Sequence, residues 1–156
     1  MSTGFAIPDG FEELPAIEGF SRSLQPLYSR VIDDELALGF VATEQHINGM
    51  GMVHGGALMT IADVLSARCI WLRMKDTRPL VTVSLNYNFI RAIKKGTWIE
   101  AVASSITLKR TAAFINGEVL AEQKPAATFS GVFLIPDNPD VKITDEFRQR
   151  VLRNLK

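Results

Sequence analysis

An aspartate interrupts the apolar run Ile61-Ala62-Asp63-Val64-Leu65, and eight residues before it two adjacent glycines, Gly55 and Gly56, follow His54. A carboxylate in such a run is costly to bury unless it is paired or in use. Asp63 is therefore a general base or nucleophile, or else a scaffold residue held by a neighbour such as Ser66 or Arg68. The glycines fall where a loop becomes a helix. Lacking Cβ atoms, they let a ligand carbonyl approach free backbone N–H groups at the positive end of the helix dipole, as an oxyanion hole requires; a tight turn would use the same pair. Eight helical residues rise about 12 Å, so Asp63 cannot reach a carbonyl bound at Gly55 of its own helix. If both act on one carbonyl, a second subunit supplies one of them.

Other chemistries find less support. The two histidines, His46 and His54, have no cysteine beside them, so no metal site is expected. His54 is placed to orient a ligand or brace the loop, whereas His46 reads as loop structure. Gly49-Met50-Gly51 begins a dinucleotide fingerprint, but the third glycine position is His54, and there is no phosphate loop. The single cysteine, Cys69, lies in an apolar stretch without a histidine to activate it. It reads as a buried thiol and suits a reducing, cytoplasmic compartment.

These residues must be positioned by a single domain, since 156 residues can bury roughly 70% of the surface of the unfolded chain. The formal net charge of zero offers no bulk attraction to nucleic acid or to an anionic membrane. No signal peptide is read at the N-terminus, and the long apolar stretch is broken by Asp63, Arg68 and Arg73, against a membrane span. Strand character runs from Ser29 to Thr43 with a turn at Asp33-Asp34, and a glycine-rich loop follows from His46 to Gly56. A helix over Ala57 to Arg73, apolar on nearly every face, must be wrapped by the rest of the domain. Four β segments come next: Val81–Ala92, Thr97–Lys109, Thr111–Ala121 and Ala126–Ile135, with turns at Lys94-Lys95-Gly96 and Glu122–Pro125. Asn116-Gly117 reads as a bulge, because a turn there would leave its strands too short. A capped, surface helix is expected over Thr144–Leu155. The division is an extension over 1–28, the domain over 29–135 and a tail over 136–156. The architecture is α+β, one curved antiparallel sheet around one long central helix.

The joint spacing of Asn48, His54-Gly55-Gly56 and Asp63 resembles the motif of the hotdog-fold acyl-CoA thioesterases of the phenylacetate-pathway type, and the resemblance extends from about Ser29 to Ile135. It implies the hotdog fold and hydrolysis of an acyl-CoA to free acid and CoA, without a cofactor, since coenzyme A is part of the substrate. It further implies a homodimer, or a dimer of dimers, in which one subunit supplies Asn48, His54 and Gly55 and the other supplies Asp63. Thr82 matches the Ser or Thr that such proteins carry on the strand after the helix. Gly56 and Val53 would then line the substrate, and Arg91 and Arg110 are candidates for the CoA phosphates, although basic residues at turns are also ordinary solvated surface. Two rivals stand beside this reading. One is a non-catalytic acyl-CoA-binding domain; the other is a hotdog hydratase or dehydratase, disfavoured because no histidine follows Asp63.

Overall fold

Asp33 and Asp34 both take left-handed backbone angles, φ 51° and 62°, and form a two-residue turn that pairs Ile32 with Glu35. Glu122 and Gln123 do the same, φ 49° and 61°, pairing Ala121 with Lys124. Two successive positive φ values match the twist of the flanking strands, which closes each hairpin tightly. The computed structural model in which these turns occur describes residues 6–137 and Gln149. Its elements are β1 (Glu12–Glu13), β2 (Tyr28–Ile32), β3 (Glu35–Val41), α1 (Gly55–Met74), β4 (Val81–Phe89), β5 (Trp98–Leu108), β6 (Ala112–Ala121) and β7 (Lys124–Leu134), with 3-10 turns at Phe20–Leu24 and Glu44–His46. The tight turn at 122–123 brings the last strand forward from the expected Ala126 to Lys124, leaving Pro125 inside it, opposite Leu120 where the register shifts. The helix expected over Thr144–Leu155 lies, apart from Gln149, outside the described residues.

All seven strands join one sheet in the order β1-β2-β3-β5-β6-β7-β4, with every pairing antiparallel. The strand that follows the helix does not pair with the next strand in the chain. β4 crosses to the far edge and pairs with β7, Val81 opposite Leu134 and Phe89 opposite Ala127. It ends at Phe89 rather than Ala92, because the N–H groups of Ile90 and Arg91 both turn onto the Ala126 carbonyl. The bulge expected at Asn116-Gly117 is at that level of the sheet but on the opposite strand. The register slips between Ala103 and Ser105, so Ser104 of β5 is the extra residue, while Asn116 and Gly117 stay in register with β7. A glycine is needed at 117 because the Phe129 ring crosses it; a Cβ there would lie 2.3 Å from Phe129 Cζ.

The sheet's concave face packs on α1. Leu38, Phe40, Ile61, Leu65, Ile70, Ile99, Ile115, Val119 and Phe133 form the centre of the core, all essentially inaccessible. Mean hydropathy and length would allow α1 to cross a membrane, but 56% of its most apolar window is buried inside this fold, as for the core helix of a wrapped domain. Leu24 and Leu27, within the segment read as an extension, are also buried in this core. A smaller cluster of Phe11, Ala37, Val41 and Trp98 covers the convex face, braced by an Arg30–Glu100 ion pair of 3.0 Å.

Candidate active site

The first half of the site is the loop that leads into α1. His46 is buried and acts as its brace: Nδ1 accepts the Thr43 N–H at 2.9 Å, Nε2 faces the Ser23 carbonyl at 2.8 Å, and the His46 carbonyl accepts the His54 N–H at 2.7 Å. Burial lowers its pKa, partly opposed by the Ser23 carbonyl, so the ring is a neutral structural group. Asn48 Oδ1 accepts the N–H groups of Met50 and Met52 at 2.8 and 3.2 Å. Two backbone donors on one oxygen fix the amide's orientation and leave Nδ2, which has no partner among the described residues, as a donor.

His54 is the N-cap of α1, and its Nδ1 accepts the Gly56 N–H at 2.8 Å. With Nδ1 an acceptor, the ring proton resides on Nε2. The helix therefore begins at Gly55, two residues earlier than the apolar pattern suggested, because the histidine cap satisfies an N–H that a sequence pattern cannot assign. The two glycines consequently differ. Gly56 N–H is occupied by the cap, whereas Gly55 N–H lies at the first helical position and has no acceptor among the described residues. A Cβ at Gly55 would sit 2.9 Å from Phe89 Cζ, so the ring from β4 closes over a backbone that only glycine leaves open.

The second half is Asp63 with Thr82. Asp63 is half-buried, not buried as the surrounding apolar run suggested, because it faces the open edge strand β4. The Thr82 hydroxyl donates to Asp63 Oδ1 at 2.9 Å, while Ser66 donates instead to the Ala62 carbonyl at 2.7 Å. Thr82 thus orients one carboxylate oxygen and leaves the other able to take a proton.

Within one chain these halves stay apart. Gly55 and Asp63 are separated by the same roughly 12 Å of helix rise, with Phe89 beside the first and Thr82 beside the second. The remaining candidates scatter. Val53 is packed in the core, its N–H bound to the Ile93 carbonyl. Arg91 is exposed just past β4, on the same side as Asn48; Arg110 lies in the β5–β6 turn, at the opposite end of the sheet, and pairs with Asp137. Trp71 is held at the far end of α1 by its Nε1 bond to the Arg78 carbonyl. Tyr87 escaped the sequence reading; the alternation of β4 puts it on the same face as Phe89. Among the described residues no group of three or more His, Cys, Asp or Glu could hold a metal ion.

Comparison with known proteins agrees with this fold. The family described as "Thioesterase superfamily" matches residues 50–127, half of the chain. A Pseudomonas aeruginosa protein that carries a provisional esterase name is 29% identical over 131 residues, spanning 83% of this chain and 98% of its own. A variant of the phenylacetic acid degradation protein PaaI from Thermus thermophilus superposes with a TM-score of 0.67 at 27% identity, over 76% of this chain and 100% of that one. A Bacillus halodurans protein solved with CoA superposes with a TM-score of 0.64 at 25% identity, over 70% of this chain and 74% of that one. The central helix packed on an antiparallel sheet is thus an architecture shared with solved thioesterases, and the chain belongs to the thioesterase superfamily.

Proposed function

We propose that two copies of this chain pair through β4 and hydrolyse an acyl-CoA thioester at two sites, each built from both copies. The observation that carries this reading is that the Gly55 half and the Asp63 half lie at opposite ends of one exposed edge strand. β4 is nine residues long, its outer edge has no partner strand among the described residues, and Val83, Phe89 and Ile90 are more than half exposed. Such an edge invites a partner strand. A twofold antiparallel pairing centred on Asn86, with Val83 the extra residue of the bulge between Thr82 and Ser84, sets position 89 opposite the partner's position 82. Each Gly55 then faces a carboxylate from the other chain. The same twofold carries Arg91 and the other chain's Arg110 to one end, where they would receive the CoA phosphates.

In this site the thioester carbonyl oxygen accepts the Gly55 N–H, with His54 Nε2–H and Asn48 Nδ2–H as nearby donors. Asp63, oriented by Thr82, removes a proton from water as it attacks the carbonyl carbon, or attacks directly to form an anhydride that water then opens. Collapse of the tetrahedral intermediate breaks the C–S bond, and the CoA thiolate leaves and is protonated. The protein needs no cofactor for this, and the buried Cys69 suits a reducing, cytoplasmic setting. The Bacillus halodurans relative solved with CoA supports the choice of thioester. Thiol release from short, medium, long and aryl acyl-CoAs tests the reading: turnover of at least one, lost in Asp63→Asn, is expected. Tight acyl-CoA binding without turnover would make this a binding domain instead.

A further inference from the structure

Tyr87 lies on the α1-facing side of β4, opposite Phe129 of β7. Its ring is 4.7 Å from that of Phe89, which in turn closes over Gly55. In the other direction along the same face of β4, Thr82 holds Asp63. The ring therefore borders the Gly55 half of one site, on the stretch of β4 that leads to the Asp63 half of the other. It is buried, yet it is the one buried side-chain polar atom among the described residues without a hydrogen-bond partner. A phenylalanine would fill the same space without leaving a donor and an acceptor unsatisfied, so the hydroxyl is costly to this fold unless something it binds completes it. Burial pushes its pKa far above the ordinary tyrosine value, so it remains a protonated donor at neutral pH. The neighbouring Phe89 ring is 55% exposed, which leaves it room to swing aside for a ligand entering from the Gly55 side.

We propose that Tyr87 sets acyl specificity: its hydroxyl hydrogen-bonds an oxygen carried on the acyl chain, so that hydroxy- or keto-acyl thioesters are preferred over plain alkyl ones. This rests on the thioesterase reading of the same site. A site built to bind a polar group discriminates against the analogue that lacks it, because the protein's own polar atom is then left unpaired.

The test compares hexanoyl-CoA with hydroxyhexanoyl-CoA isomers in which the hydroxyl moves carbon by carbon from the β to the ω position. Wild-type protein should favour at least one isomer by about tenfold in kcat/KM, and in Tyr87→Phe that ratio should collapse towards unity, whatever happens to the rate common to both substrates. The melting temperature of Tyr87→Phe should not fall, which guards against misfolding as the cause. Thiol release with the same ratio in both proteins would overturn the role of Tyr87 and leave the thioesterase reading standing. No release from any member of the series would overturn both.

Discussion

Mixing two impaired variants should regenerate activity. An Asp63→Asn subunit retains Asn48 and Gly55, and an Asn48→Ala subunit retains Asp63. Because the two halves are separated by about 12 Å of α1 and neither reaches the other within a chain, a heterodimer contains one site with both lesions and one with neither. Random reassortment makes about half of the dimers mixed, so roughly a quarter of all sites are intact. If Asp63→Asn retains about 1% of wild-type turnover and Asn48→Ala about 10%, the unmixed average is about 5%, whereas the reassorted mixture should reach about a quarter of wild type. The two chains, one tagged, are unfolded together, refolded at equal ratio and assayed for thiol release, with tandem purification confirming that heterodimers formed. A confirmed heterodimer pool that shows only the average of the two parents would place Asp63 in the site of its own chain and refute the geometric argument.

The single variants are informative alone. Asp63→Asn should lower thiol release by at least about a hundredfold with no change in fold, since an amide still accepts the Thr82 hydroxyl but cannot take a proton. Asn48→Ala should cost roughly tenfold, because it orients rather than reacts, and it should also loosen the loop whose Met50 and Met52 N–H groups it holds; an unchanged rate would make it a loop residue only. His46 binds protons less readily folded than unfolded, so its contribution to stability is present above the ordinary histidine pKa of about 6.5 and is lost as pH falls through the lower folded value. Thermal melts should drop between about pH 7 and pH 5, and a flat profile would argue against a neutral buried ring. Cys69, with burial pushing its thiol up to about 12, should resist a thiol reagent in the native protein and react once unfolded. Its raised pKa stabilises the fold below the unfolded value of 9.0, and that contribution is lost as pH climbs towards 12.

Much of the site could be read from the linear chain because helix geometry is regular. A fixed rise per residue converts the interval between Gly55 and Asp63 into a distance, and from that distance comes the need for a second subunit. Residue type and position marked the glycines and the carboxylate as chemically able, Asn48 came only from the resemblance to the thioesterase motif, and turn-forming pairs located the hairpin at Asp33-Asp34. What pairs across the fold was not legible. That His54 caps the helix and takes the Gly56 N–H, leaving Gly55 as the open donor, depends on side-chain placement at a helix end rather than on periodicity. That β4 passes its successor and pairs with β7 depends on the sheet curling around α1, which leaves one edge open. On that edge Asp63 is only half-buried, Thr82 meets it, Phe89 covers Gly55, and Tyr87 is left with an unsatisfied hydroxyl. Local sequence determined which groups can react; only non-local strand pairing decided which of them meet.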